Sequence, residues 1–538
     1  MPEDAQRLIA GFIDNARQHP DRNALWVDEQ MYTYVGLLSH SAAIARTLLG
    51  ETPANGARCA LLVERSVTAY GAVLGALMAD MTYVPLNARF PMQRNLRMLE
   101  LSSPFAIVVD QHSLGAAGEL LPAYSTRLLV LLPESDALPD WACDAKQHRY
   151  ILKTQMAPAD TQSLQLPAAV NPLAYILFTS GSTGLPKGVA VTNANAATYV
   201  ASIIARYQPG PHDRFTQFFD FTFDLSVHDI FVCLSAGACL YCVPSRMMMM
   251  PLRFVQEHQL TFWFSVPALA ATLKRYKVMR PGILPNLKWS LFCGEALPTS
   301  LVQDWQQAAP HSLIDNLYGP TEATIACTFY RYQADDARSN ALPVLPIGTP
   351  LPGQETIVLD AHGKPVADGQ VGELYLAGSQ LAQGYWQDDP LTDQRFLTMK
   401  FVGKQSARWY RSGDLARLDA HLGLLYCGRI DKQVKIRGYR VELQEIEAVI
   451  RRLGGSDLVA VVPWPIDADG GVQGLLAYGS GFTVVPTEIL KGCTQHLPAY
   501  MVPQDVIELN SMPLNSNGKI DYSALQRIAG DSATGSAA

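Results

Sequence analysis

The sequence predicts an α/β protein of several subdomains, and three observations carry that reading. Short apolar strand-like runs alternate with helical segments over most of the chain. After about residue 340 the texture changes to turn-rich strands without long helices. A last change follows Asp431, where strands and helices resume as a separate α+β module. Alternating strand and helix argues for mostly parallel sheets, and turn-rich strands argue for antiparallel ones. The expected plan is a large N-terminal part with α/β sheets and a smaller β-rich subdomain, followed by a mobile α+β C-terminal module.

The elements follow in order. Residues 5–18 read as an amphipathic helix, then "NALWV" as a strand, then a helix ending at Gly50. "CALLV" (59–63) and "SVTAYGAVLGALMA" give the next strand and helix, and "AIVVDQ" (106–111) and "TRLLVLL" (126–132) two more strands. "AYILFTS" (174–180) and "ACLYCVP" (238–244) continue the series. Strands "ETIVLD" and "GELYLAG" belong to the β-rich part. In the last module, "LQEIEAVIRRL" and "PTEILKGCTQHL" are helices and "DVIEL" a closing strand. The boundaries are residues 1–430, 431–527 and a small polar tail, 528–538, expected to be flexible.

Composition narrows the function. With 538 residues, 48% apolar and 17% charged, the chain has the material for more than one buried core. Lys and Arg number 42 against 49 Asp and Glu, a net charge of −7, so there is no basic field for nucleic acid or an anionic membrane. The nine cysteines are widely spaced and mostly in apolar runs, which reads as buried free thiols in a reducing compartment. Cys239-Leu-Tyr-Cys242 has CxxC spacing, but it sits in an alternating run without a second pair. The N-terminus has acidic residues at once and no apolar core, so no signal peptide is expected. The most apolar stretch is broken by Asp80 and is too short for a membrane span. A cytoplasmic protein is the expectation.

The strongest local signal is "ILFTSGSTGLPKG", residues 176–188. An apolar strand runs into a loop with Thr179, Ser180, Gly181, Ser182, Thr183, Gly184 and then Lys187. Glycines let the backbone bend, hydroxyls and amides donate to phosphate oxygens, and the lysine adds a positive charge. It is not a Walker A loop, because Pro186 precedes the lysine. "NLYGPTEATI" (316–325) is a strand end, a Gly-Pro turn and an acid: Tyr318 suits stacking on a flat base, and Glu322 suits a divalent metal. "YRSGDL" (410–415) puts Asp414 in a glycine turn, where a carboxylate can accept two hydroxyls.

These motifs, with "GELYLAG", "GRIDKQVKIRGYRVELQEIE" and "NSNGKID" in the same order, resemble the adenylate-forming superfamily. More closely they resemble the stand-alone amino-acid adenylation domains of nonribosomal peptide synthesis, over residues 10–527. The resemblance implies ATP and Mg²⁺ as cofactors, with Asn316 at the adenine amino group, Tyr318 on its ring, Thr321 at the phosphate and Glu322 on Mg²⁺. Asp414 and Arg429 would hold the ribose, and Asp431 would be the hinge. Lys187 and Lys519 would be catalytic cations, Lys519 acting only when the C-terminal module closes. A carboxylate and a triphosphate meeting at one phosphorus need such cations. The loop "KIRGYRVE" (435–442) would swing in for the second half-reaction and line a pantetheine tunnel.

In "FDFTFDLSVHDIF" (219–231) the resemblance places Asp224 opposite a substrate α-ammonium, which favours an amino acid over an aryl or fatty acid. The specificity set is then Asp224, Leu225, His228, Ser265, Leu291, Cys293, Leu317, Ile325, Ala326 and Lys519. It has no further acid for a basic side chain and no arginine for an acidic one, and the pattern resembles the sets used for small amino acids (glycine, alanine, serine or cysteine), with proline a further candidate. Two departures stand out: "YVPLNARFP" (83–91) replaces a usual Pro-x-Asp-Pro stretch, and "VTNANAA" (191–197) lacks a usual histidine. "LGGSD" (453–457) imitates a carrier-domain serine site but lies inside the last module. The acyl acceptor is therefore expected to be a separate phosphopantetheinylated carrier protein. The alternatives are a carboxylate:CoA ligase and an inactive nucleotide-binding scaffold.

Overall fold

The structure is a computed structural model that describes residues 7–52, 55–159, 161, 166–168, 171–181, 185–401, 406–431, 433–466, 471–514 and 520–535. Among the described residues the strands of the first part form two large sheets and one smaller one. The eight-stranded sheet runs in the order 384–385, 187–192, 173–179, 82–86, 58–62, 106–109, 129–132 and 149–152. Its interior pairs are parallel, and Lys187–Thr192 returns antiparallel to Leu173–Thr179. The nine-stranded sheet has the order 349–350, 328–331, 313–318, 289–292, 262–265, 214–217, 239–242, 23–27 and 30–33. It too is parallel at its centre and antiparallel at both edges.

Helices packed between these sheets join both into one core, which includes residues of Tyr34–Gly50, Val67–Met78, Asn193–Tyr207 and Leu225–Ser235. Val67–Met78 is buried from Thr68 onward on every side. That explains its uniform apolarity: it is a core helix with sheets and helices all round. Small residues let it lie close to Tyr34–Gly50, since a Cβ on Gly75 would come 2.9 Å from the Ser41 carbonyl oxygen. Among the described residues no helix is long and apolar enough to cross a membrane.

The β-rich part is a five-stranded antiparallel sheet of Gln354–Leu359, Val371–Gly378, Ala407–Asp419, Phe396–Met399 and Gly423–Arg429. Beyond it the hairpin Gln433–Ile436 and Tyr439–Glu442 leads into the helix Leu443–Gly454. A three-stranded sheet, Val459–Pro463, Leu475–Gly479 and Asp505–Glu508, follows. The "LGGSD" segment ends the helix Leu443–Gly454: Gly455 takes the left-handed conformation at its end (φ +66°), and the Ser456 hydroxyl donates to the Ser480 carbonyl at 2.6 Å.

Two expectations at the chain ends are corrected. The first helix spans Ala10–Gln18, shorter than residues 5–18. The last element is a helix, Tyr522–Gly535, which runs well into the segment expected to be a flexible tail. Its physical basis is an i, i+4 apolar pair: Leu525 and Ala529 are buried against Ala460, Val462 and Tyr478 on the outer face of the three-stranded sheet. Glycine and serine in "GDSATGSAA" suggest disorder by composition, but composition does not register that docked turn.

Leu525 is fully buried. Leu525→Ala is expected to destabilise the C-terminal module by about 2–5 kcal/mol. Hydrogen exchange should show the loss of protection at Val459–Pro463 and Leu475–Gly479. Unchanged protection there would mean that the helix does not hold this face.

Candidate active site

Parallel strands present their carboxyl ends to one side of a sheet, and ligands of such sheets bind there. Here the end of Leu313–Tyr318 and the segments that follow Phe262–Ser265 and Trp289–Phe292 line a cavity of about 570 Å³, with residues of the C-terminal module on its far side. Asn316, Tyr318, Glu295, Arg429 and Lys435 are among its lining residues. A narrower chamber of about 50 Å³ continues inward past Asp224, Leu225, Cys293, Thr321 and Ile325.

Glu322 is the centre of charge. It has no exposed surface, and its Oε1 accepts the Tyr385 hydroxyl at 2.7 Å. Lys187 Nζ lies 3.4 Å away, and Arg440 NH1 reaches both carboxylate oxygens at 3.0 and 3.2 Å. Burial alone would raise its pKa, but Arg440, Lys187 and the Tyr385 hydroxyl reverse that and hold it well below the usual carboxylate range. Lys187 is pushed down to about 8, first by burial and then by the Arg440 charge. Its ammonium also sits over the Tyr385 ring, 4.7 Å from the centroid.

Tyr318, Asp414, Arg429 and Asp431 lie together. Tyr318 OH donates to Asp414 Oδ2, and Arg429 forks onto Asp414 and Asp431, with bonds of 2.6 and 2.8 Å to the latter. Two buried polar atoms there have no hydrogen-bond partner among the described residues: Asn316 Oδ1 and Thr179 Oγ1. An acceptor beside Tyr318 suits an adenine amino group, and a hydroxyl at the phosphate loop suits a phosphate oxygen. Asn316 Nδ2 is meanwhile held by the Pro346 carbonyl at 2.8 Å, which fixes the direction of the free oxygen. One buried carboxylate beside a phosphate loop also fits Mg²⁺, which takes few protein ligands alongside phosphate oxygens. Thr321, expected at the phosphate, lines the narrower chamber together with Asp224.

Asp224 lies just ahead of the helix Leu225–Ser235 and is buried. Burial raises its pKa to about 6, against the hydrogen bonds from Thr321 and the Leu225 backbone. His228 is held by Tyr199, hydroxyl to Nδ1 at 2.7 Å, and burial pushes it down to about 3, so it is neutral. Cys293 is pushed up to about 12 by burial and stays a thiol. Leu291, Leu317 and Ala326 are buried around them. Thr324 and Ile325 both take positive φ, +54° and +74°, which is costly for a β-branched residue. Gln380 supports that bend: its side-chain amide donates to the Ala326 carbonyl at 2.8 Å, and its backbone carbonyl accepts the Thr324 hydroxyl at 2.5 Å.

Ser265, expected in the specificity set, is buried at the end of the strand Phe262–Ser265. Its Oγ accepts Trp263 Nε1 at 2.8 Å, and Trp263 belongs to the core on the other side of the strand. Side chains alternate along a strand, so the preceding residue turns to the opposite face. Phe264 packs on His228, ring centroids 4.2 Å apart, and on Phe219. Sequence reasoning also missed Tyr385, Gln380 and Arg440. Arg440 lay within the quoted basic loop, yet nothing in a local run of basic residues says which one turns inward. Ser182, Thr183, Gly184 and Lys519 lie outside the described residues.

The hairpin is seated in the site rather than on a free surface. Gly438 N donates to Glu295 Oε1 at 2.7 Å, and a Cβ at Gly438 (φ +84°) would collide with Val266 at 2.3 Å. Tyr439 stacks between Phe223 and Tyr500, the latter at 3.9 Å and 7°.

Comparison with known proteins shows the family. The AMP-binding enzyme family matches residues 12–386. The chain belongs to that family. This AMP-binding enzyme resembles adenylation domains in particular. The structure of the Vibrio cholerae adenylation domain AlmE, in complex with glycyl-adenosine-5'-phosphate, matches it with a TM-score of 0.87 at 34% identity. That match covers 97% of this chain and 98% of the other. The L-proline–[L-prolyl-carrier protein] ligase of Streptomyces coelicolor is 32% identical over 535 residues, 95% of this chain and 94% of that protein. Tyrocidine synthase 3 of Brevibacillus parabrevis is 31% identical over 559 aligned residues. There the match covers 99% of this chain but only 8% of the synthase.

The Asp224 geometry has a pH consequence. Its folded pKa of about 6 exceeds the ordinary 3.8, so the folded state binds the extra proton and stability falls as pH rises through that window. Asp224→Asn is expected to flatten that slope and to be more stable than the parent at pH 7 by about 1–3 kcal/mol. Denaturant midpoints at pH 4.5 and 7 check this, and parallel pH dependences in the two proteins would refute it.

Proposed function

We propose that the chain activates a small α-amino acid with ATP, releasing pyrophosphate, and passes the aminoacyl group to the phosphopantetheine thiol of a separate carrier protein. The single observation behind the substrate is the narrow chamber of about 50 Å³ floored by Asp224 and walled by Leu225, Cys293 and Ile325. A buried carboxylate with a raised pKa is relieved by an ammonium, and the small volume limits what that ammonium can carry. The glycyl adenylate in the Vibrio cholerae relative and the carrier-bound proline of the Streptomyces enzyme support an amino acid rather than an aryl acid.

In the first step a carboxylate oxygen of the amino acid bonds to the ATP α-phosphorus and the bond to pyrophosphate breaks. Asp224 would hold the ammonium, Asn316 and Tyr318 the adenine, and Asp414 with Arg429 the ribose. Ser180, Gly181 and Lys187 would receive phosphate oxygens, and Lys519 would bridge the two anions. Glu322 would hold Mg²⁺, which would supply charge neutralisation when bound. In the second step a thiol sulfur attacks the acyl carbon, loses its proton, and AMP leaves. The seated hairpin, with Gly438 against Val266 and Glu295, is the arrangement suited to that step.

Amino-acid-dependent pyrophosphate exchange, run with all twenty amino acids, is expected to be strongest with glycine, alanine, serine or cysteine. Exchange with none of them would sink the proposal. A thiol-acceptor comparison separates a holo-carrier from coenzyme A, and faster transfer to coenzyme A would favour the carboxylate:CoA ligase. Phe264→Ala is expected to shift preference toward larger side chains by about 10- to 200-fold in relative kcat/KM, the range that one methylene carries in an apolar pocket. A change at Ser265 should shift it far less.

A further inference from the structure

Two charged side chains of the C-terminal module reach the triphosphate end of the site and turn in opposite directions. Arg440, on the second strand of the hairpin, lies against both oxygens of Glu322 at 3.0 and 3.2 Å. Glu445, in the first turn of the following helix, faces the phosphate loop instead. Its Oε2 accepts the Gly181 amide at 3.3 Å and its Oε1 accepts Arg94 NH1 at 2.6 Å. Arg94 and Glu445 are only 5% and 3% exposed. The Arg440 backbone carbonyl accepts the Ser180 hydroxyl at 2.7 Å. Donors of the loop thus meet acceptors from the module, while the carboxylate suited to a metal meets a cation.

We propose that the C-terminal module carries a built-in substitute for the metal-bound pyrophosphate end of ATP. The Arg440 guanidinium takes the place of the cation at Glu322. The Glu445 carboxylate and the Arg440 carbonyl take the places of phosphate oxygens at Gly181 and Ser180. Seating of the hairpin and occupancy of the loop by pyrophosphate are then mutually exclusive, and ATP is barred while the thioester is being made. This rests on the adenylation reading given above. The physical reason is that like charges cannot share a buried donor set: a phosphate at Gly181 would face Glu445 inside a low-dielectric loop. Once pyrophosphate has gone, Glu322 would keep only Lys187 and the Tyr385 hydroxyl and the loop donors would lose their acceptors, and the module supplies what they lose. Arg94, fixed in the N-terminal core, aims Glu445 at the loop. Glu445 is accordingly a positioning residue.

The test uses the full chain with Cys143 and Cys427, two exposed thiols, replaced by serine. A donor dye goes on the N-terminal core and an acceptor dye on the C-terminal module. Energy transfer is followed while pyrophosphate and Mg²⁺ are added without amino acid, and pyrophosphate affinity is measured in parallel by calorimetry. Pyrophosphate with Mg²⁺ is expected to displace the hairpin fully at saturation. Glu445→Gln and Arg440→Gln should each bind it roughly 5- to 20-fold more tightly, because the internal competitor is weakened. A merely structural Glu445 would change unfolding without moving that affinity. Saturation that leaves energy transfer at its seated value overturns the inference, as does unchanged affinity in both variants. Both results leave the adenylation reading standing. Failure of every protein to bind either pyrophosphate or ATP overturns that reading itself.

Discussion

A carboxylate with no exposed surface must have cations beside it, and Glu322 organises the site around that requirement. Taking an ion out of water costs several kcal/mol unless partners replace its hydration. Lys187 comes from the strand after the phosphate loop, Tyr385 from the short edge strand of the same sheet, and Arg440 from the C-terminal hairpin. One buried charge therefore ties the eight-stranded sheet, the end of the nine-stranded sheet and the last module together. Its own position is set by the Gly319-Pro320 turn, where a Cβ on Gly319 would come 2.6 Å from the Ala326 backbone.

The same concentration of constraint explains the strain next door. Thr324 and Ile325 are held in the left-handed region, and a free chain would relax out of it. Gln380, fully buried, bonds the carbonyls on both sides of the bend. A conformation costly on its own persists because a neighbouring sheet over-determines it, and the result is that Ile325 walls the inner chamber. Arg206 and Arg331 act in the same sense one strand position earlier. They converge with the Tyr207 hydroxyl on the buried Asp315, which fixes the strand that delivers Asn316 and Tyr318.

Much of this was legible in the sequence because the signals are local. Apolar runs such as Leu173–Thr179 and Ala106–Val109 are buried along nearly their whole length and carry their own pattern. The glycine- and hydroxyl-rich loop, Glu322 and Asp414 sit in short motifs whose residue types name their chemistry. What failed is what depends on partners distant in the chain. Ser265 and Phe264 are neighbours, and only the phase of the pleat, set by Trp263 packing into the other core, tells which of them turns toward His228. Arg440 sits in a run of basic residues, and its inward turn is fixed by Tyr439 stacking on Tyr500, sixty-one positions away. The helix Tyr522–Gly535 depends on a sheet face that composition cannot reveal.

The chamber behind Asp224 sets a limit on selectivity that follows from its chemistry. His228 is neutral and capped by Tyr199, and Cys293 is a protonated thiol. Neither offers a charge to a substrate side chain, so discrimination among neutral amino acids falls to volume and shape. Volume separates homologues by only about 1–3 kcal/mol per methylene. In the proposed role Asp224 would separate classes far more sharply, because an acid without an ammonium would leave it buried without a cation. On the proposed function, such a site would reject non-amino acids strongly and order small amino acids weakly.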